Sequence, residues 1–170
     1  SAGYAFEETP EDADLLMLNT CGFIQPAVEE AIEEILELAR IKEAHPGQKL
    51  VVVGCLVQRY GNGLVEELPE VDLFIGTEAC HVMAERVEPL FTSCEIDDKV
   101  VMPERFIMDA SLPRTLTTPF FRSWFKLTEG CDNRCSYCMI PSIRGNLRSR
   151  PVDDLVREAI AMEAGGVREL

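Results

Sequence analysis

The chain has 170 residues, of which 46% are hydrophobic and 27% charged, a globular composition sized for one or two domains; it contains no run of about 18 apolar residues to span a membrane and no basic-then-apolar opening of a secretion signal. Its seven cysteines, without such a signal, argue against a disulfide framework and for metal binding in a reducing cytoplasm. The net charge of −14 is uneven: residues 1–110 hold 23 acidic and 7 basic side chains, so the first half is expected to repel nucleic acid and suits a basic protein partner, unless the acidity serves solubility alone.

Residues 13–19 form an apolar run that predicts a buried strand. Pro26 suits the first turn of a helix, and apolar residues at 28, 31, 32, 35, 36 and 39 give residues 27–40 one buried face. Glu29, Glu30, Glu33, Glu34 and Glu37 fill the other face, which is expected to be solvated. His45-Pro46-Gly47 ends this helix. Next come a strand over 50–53, a helix over 58–68, a strand over 72–75 and a helix over 78–90. Strand alternating with helix predicts an α/β fold whose parallel sheet is built from βαβ units.

Residues 92–116 are expected to be a connecting segment with one or two short strands, 105–108 for instance. Pro113 and Pro119 mark a change of domain, and Trp124-Phe125-Lys126-Leu127 predicts a strand. Pro151 opens a helix running to about Ala164, which Gly165-Gly166 ends, and the last residues begin another strand. This is the pattern of the beginning of a TIM-like barrel, which carries its chemistry in the loops after its strands. The expected division is therefore 1–91, a connecting segment 92–116, and a second domain 117–170. The chain starts at Ser1 without Met and stops inside an expected strand, so it is expected to be a piece of a longer protein.

The loop after the strand ending at Leu127 carries Cys131, Cys135 and Cys138 in a CxxxCxxC run. Three thiolates within eight residues can wrap one metal centre. A closed zinc site takes four ligands, and iron–sulfur clusters used for electron transfer are held by four cysteines. Three leave a coordination position open. Within 111–150 there are 7 basic and 2 acidic side chains, a balance suited to an anionic cluster and to carboxylate-bearing ligands.

Cys21 and Cys55 each follow a predicted parallel strand directly, so both are expected at the sheet edge where open α/β sheets bind ligands. Gly22 and Gly54 would let backbone approach a bulky group there. Two thiolates do not complete a metal site, and a lone cysteine is otherwise a small buried hydrophobe. Cys80, beside His81, hints at a metal but has no companion spacing and is expected to be ordinarily buried; Cys94, in an expected loop, is expected to be incidental, and His45, before its turn, to be solvated.

The CxxxCxxC loop with Tyr137 before its last cysteine resembles that of the radical S-adenosylmethionine enzymes. The string Glu129 to Pro151, with Ile140-Pro141, Arg144-Gly145 and Arg148-Ser149-Arg150-Pro151, is similar to that of the methylthiotransferases within them. Asn19-Thr20-Cys21 and Gly54-Cys55-Leu56-Val57-Gln58-Arg59-Tyr60 resemble that family's N-terminal domain. Cys21-Gly22-Phe23-Ile24 resembles its RimO branch, which modifies an aspartate of ribosomal protein S-twelve; the tRNA-modifying MiaB branch has a more polar segment there.

The resemblance implies an α/β N-terminal domain followed by the start of a radical S-adenosylmethionine barrel. It implies two 4Fe–4S clusters. Cys131, Cys135 and Cys138 would ligate the radical cluster, whose open iron chelates S-adenosylmethionine, with Tyr137 beside the adenine or packed against the barrel. Cys21 and Cys55 would be two of three ligands of an auxiliary, sulfur-supplying cluster, the third lying in a segment before Ser1. No side chain is assigned as a catalytic acid or base: cleavage of S-adenosylmethionine yields a deoxyadenosyl radical that removes hydrogen from an aspartate β-carbon, and the cofactors carry that step. A second S-adenosylmethionine gives the methyl group, and Arg134 with its basic neighbours balances cluster charge. The implied partners are ribosomal protein S-twelve and an electron donor such as flavodoxin or ferredoxin, in the cytoplasm and without a membrane.

Three other readings stay open on the residues: a tRNA methylthiotransferase; a zinc-binding interaction module that draws a fourth ligand from Cys80, His81 or Cys94; and a plain electron-transfer protein, which the three-cysteine loop argues against.

Overall fold

The computed structural model describes residues 3–92, 98–102, 106–112, 115–116 and 119–170, with Cys80 described by its backbone alone. Cys94, Arg105 and Pro113 lie outside the described residues. The chain divides into two compact units, Ser1–Arg105 and Phe106–Leu170. Among the described residues no helix is long and apolar enough to cross a membrane.

The first unit is an α/β layer. Strands β1 (Leu15–Thr20), β2 (Lys49–Gly54), β3 (Leu73–Gly76) and β4 (Val100–Val101) lie in that order and pair in parallel. Five of the six residues of β2 are buried and all of β3 is, as parallel strands covered on both faces require. Alternation sorts their side chains. Leu50, Val52 and Phe74 face one core with Ile35, Leu56 and Val57, while Val51, Val53, Leu73 and Ile75 face a second with Ala79 and Val87. Full burial of each such side chain is worth about 1.5–3 kcal/mol before entropy is charged against it.

Helix α1 (Gln25–Ala44) bears out its periodicity: Val28, Ala31, Ile35 and Ala39 are buried and the five glutamates are exposed. Leu36, on the expected apolar face, is instead 38% exposed. Two expected helices are broken up. The stretch 58–68 is α2 (Cys55–Tyr60) and α3 (Gly63–Glu67), parted at Gly61, whose φ is +54°. The stretch 78–90 is a 3₁₀ segment (Thr77–Val82), α4 (Met83–Val87) and a second 3₁₀ segment (Glu88–Phe91). Pro89 explains the last change, since it has no N–H to continue an α-helical ladder.

The second unit also departs from expectation locally. Residues 106–108 form no strand, and neither does Trp124–Leu127. Trp124 is 78% exposed, so the apolar run does not mark a buried strand. The ladder starts one residue later: β5 (Thr128–Glu129) pairs antiparallel with β6 (Arg148–Ser149). A parallel bridge, Arg122 to Glu169, spans helix α6 (Val152–Ala164) in the sense a βαβ unit requires. Helix α6 turns Asp154, Glu158 and Met162 inward and leaves Val152, Val156 and Ile160 at least half exposed, the reverse of an ordinary amphipathic helix.

Candidate metal centres

In the second unit the three-thiol loop is clamped to residues 144–149, the last residue of helix α5 (Ile140–Arg144) and the five after it. Glu129, buried at the end of β5, pairs with Lys126 and, at 2.8 Å, with Arg144. Burial alone would raise its pKa, but hydrogen bonds from Lys126 and Arg144 outweigh it and hold the carboxyl below its ordinary value. Beyond the ladder, the Cys131 N–H donates to the Gly145 carbonyl at 3.0 Å, and the Leu147 N–H to Asp132 Oδ1 at 2.9 Å. Arg134, at φ +49°, donates to Asn146 Oδ1 at 3.1 Å. Gly130, at φ +78°, lies so close to the facing turn that a Cβ would sit 2.2 Å from the Asn146 carbonyl oxygen. The Cys138 N–H closes a turn onto the Cys135 carbonyl at 3.0 Å.

The thiols themselves are partly exposed at Cys131 and Cys138 and exposed at Cys135, and none is in a disulfide. Tyr137 is 84% exposed, so it packs neither on the loop nor on the rest of its unit. A cleft of about 800 Å³ lined by Ile107, Asp109, Ser111, Asp153 and Arg157 opens in this unit, and no cysteine lines it.

In the first unit Thr20 pairs with Gly54, so Cys21 and Cys55, the residues after them, leave adjacent strands at one sheet edge. The Thr20 hydroxyl donates to the Val53 carbonyl at 2.7 Å. Gly54, at φ +112°, closes on β1 so tightly that a Cβ would lie 2.4 Å from the Thr20 carbonyl oxygen. Cys21 is exposed and Cys55 partly so, again outside any disulfide. Gly54→Ala is expected to destabilise this unit by about 3 kcal/mol, the upper end for a strained backbone position. Gly47→Ala, at φ +110° with nothing within 4 Å of its Cβ, should cost only about 1 kcal/mol, the lower end for backbone strain alone. Urea denaturation measures both, and equal losses would show that close packing at Gly54 adds nothing to the backbone term.

Among the described residues no three His, Cys, Asp or Glu side chains converge where a metal ion would sit. The structure therefore brings the donors onto one loop and one sheet edge without arranging them as a ligand shell. The donor set fits an iron–sulfur cluster in kind: soft thiolates, not cross-linked, on a loop fixed by backbone and buried ions. His45, expected to be solvated, is instead half-buried and bonds the Ile41 carbonyl through Nδ1 at 2.8 Å, which anchors it on the end of α1.

Sequence reasoning missed the charged groups that hold these places. Arg150, fully buried, donates to Asp154 from Nε and Nη2 at 2.9 and 2.6 Å, to the Lys126 carbonyl at 3.0 Å, and pairs with Glu158. The signal was the i, i+4, i+8 spacing of Arg150, Asp154 and Glu158, which a periodicity count reads as a solvated stripe. Arg59, one helical turn after Cys55, stands within the stretch Gly54–Tyr60, but no local pattern there marks the bond it makes to Gly22.

Residues 1–76 match the uncharacterized protein family UPF0004 and residues 125–170 the radical SAM superfamily. The chain is similar to the ribosomal protein uS12 methylthiotransferase RimO of Desulfotalea psychrophila, 63% identical over 94% of this chain and 36% of that protein. It is also similar to the proteins of that name from Syntrophus aciditrophicus, at 48% over 99% of the chain and 38% of the relative, and from an Anaeromyxobacter species, at 46% over 99% and 35%. The chain thus spans about a third of the length of the curated relatives it matches.

Proposed function

Since the chain belongs to the RimO-type methylthiotransferase family, we propose that the protein methylthiolates the β-carbon of an aspartate in ribosomal protein uS12. The observation that carries this is the three-thiol loop, fixed by β5, β6 and the 144–147 turn, on the segment that resembles the radical SAM superfamily. When bound, S-adenosylmethionine and iron–sulfur clusters supply radical generation, sulfur and the methyl group.

The chain's own residues do the rest. Cys131, Cys135 and Cys138 hold one cluster and leave a position open for S-adenosylmethionine. Cys21 and Cys55 hold part of a second at the sheet edge. Arg134, kept on Asn146, puts a positive charge beside the first cluster, and the exposed Tyr137 ring is available to the adenine. Residues 1–91 act as the N-terminal domain, 92–116 as the connection, and 117–170 as the opening of the barrel domain. The exposed glutamates of α1 suit a basic ribosomal protein better than tRNA. An electron donor of the flavodoxin or ferredoxin type serves the reaction in the cytoplasm.

The test is the full-length protein, reconstituted anaerobically with iron and sulfide and given S-adenosylmethionine, reductant and either small ribosomal subunits or bulk tRNA. A methylthio mass increment on one uS12 aspartate is expected. An increment on tRNA alone would overturn the substrate, and zinc at one equivalent with neither iron nor sulfide would overturn the reaction class.

A further inference from the structure

The two cysteines at the sheet edge of the first unit are joined by more than strand pairing. Cys55 opens α2, and Arg59 stands one turn along the same helix, i+4 from it. Arg59 Nη1 reaches back and donates to the carbonyl of Gly22 at 2.8 Å. Gly22 directly follows Cys21, and it is buried against the start of α2: a Cβ there would lie 2.8 Å from the Cys55 carbonyl oxygen and 2.9 Å from the Leu56 Cα. The guanidinium also lies over the Tyr60 ring, 4.9 Å from its centroid, which limits the directions it can take. So the segment carrying Cys21 is pressed onto the peptide after Cys55 and tied by a cation on the Cys55 helix.

We propose that Arg59 is a positioning residue that fixes the Cys21 segment against Cys55, so that both thiols present to one cluster at the sheet edge with a positive charge nearby. This rests on the reading of Cys21 and Cys55 as ligands of an auxiliary iron–sulfur cluster. Without the tie, Cys21 is an exposed thiol on a segment held by one strand end and by the fit of Gly22. The hydrogen bond goes to main chain rather than to sulfur, so Arg59 acts on where the ligand stands and, through its charge, on the potential of what it holds.

The experiment uses the full-length protein carrying Cys131→Ala, Cys135→Ala and Cys138→Ala together, which leaves the sheet-edge centre alone to be reconstituted. Iron and sulfide content, the EPR spectrum of the reduced cluster, its midpoint potential and the rate of iron loss to a chelator are compared with Arg59 intact, in R59Q and in R59K. Loss of an outer hydrogen-bond partner of a metal site costs about 10–100-fold in metal affinity. R59Q is expected at the low end, with about tenfold faster iron loss, an altered EPR spectrum and a lowered midpoint potential. R59K, which keeps the charge and one donor, is expected to recover most of each. Unchanged iron loss, spectrum and potential in R59Q overturn the proposal. So does iron loss that only follows a fall in melting temperature and is not rescued by R59K, because that is a purely structural side chain. Absence of iron with Arg59 intact would instead bring down the auxiliary-cluster reading itself, and this proposal with it.

Discussion

Cys135→Ala in the full-length protein is expected to abolish reductive cleavage of S-adenosylmethionine and to halve the iron content while leaving the melting temperature of the cluster-free protein where it was. The separation of these effects follows from what Cys135 does in the fold, which is little. Its side chain is exposed. The turn closed by the Cys138 N–H uses the Cys135 carbonyl, which alanine keeps. The contacts that fix the loop come from its neighbours: Cys131 on Gly145, Asp132 on Leu147 and Arg134 on Asn146. A surface substitution away from packed or paired groups moves stability by no more than about 0.5 kcal/mol. The chemical consequence is large because two thiolates do not replace three; with the two four-iron clusters proposed above, the loss of one removes about half the iron. Iron and sulfide assay, calorimetry and release of methionine from S-adenosylmethionine check the three parts. A variant that keeps full iron and cleavage would remove Cys135 from the ligand set.

The loop was legible because its information is local: three cysteines at fixed spacing after an apolar stretch. The strands β2 and β3 and helix α1 were legible for a related reason, since their burial patterns show in sequence, whereas β1, expected to be buried, ends the sheet with only Leu16 and Thr20 buried and Met17 exposed. What holds the loop was not legible, because Gly145, Asn146 and Arg148 reach it from across a turn whose closure no local pattern announces. Trp124–Leu127 misled in the opposite way, being apolar in sequence but half or more exposed at Trp124 and Leu127. The broken helices over 58–68 and 78–90 show the limit of periodicity where Gly61 and Pro89 intervene. The buried ions were the least legible of all. Asp154 and Glu158 lie on the inward face of α6, where a periodicity argument places leucine.

Those ions set the expectation for the second large effect. Arg150→Met, close in volume, is expected to destabilise the second unit by about 3 kcal/mol at neutral pH, because Asp154 and Glu158 stay buried without their cation. Burial alone would lower the pKa of Arg150, but its hydrogen bonds to Asp154 and Glu158 outweigh that and raise it, so the guanidinium stays charged. Asp154 is held down to about 2 by the Ala110 N–H, then by Arg150 and by Arg157. A carboxyl lowered on folding stabilises the fold above its ordinary value of 3.8 and stops doing so as the pH falls through about 2. The methionine variant loses the Arg150 part of that at every pH where Asp154 is ionised. The difference in stability between wild type and variant is therefore expected to be largest at neutral pH and to shrink between pH 3.8 and about 2, as protonation removes the charge that Arg150 compensates. Urea titrations at stepped pH measure this difference. A penalty that stays constant down to pH 2 would mean that Arg150 acts by packing over Phe125 and by its bond to the Lys126 carbonyl, rather than by its charge. The location of the loss matters as much as its size. Arg150 bonds the carbonyls of Lys126 through its side chain and Leu127 through its N–H, immediately before β5. Its removal should therefore raise amide exchange at Thr128–Cys131 before the far end of α6 responds, so that the charge network of the helix and the start of the cysteine loop loosen together.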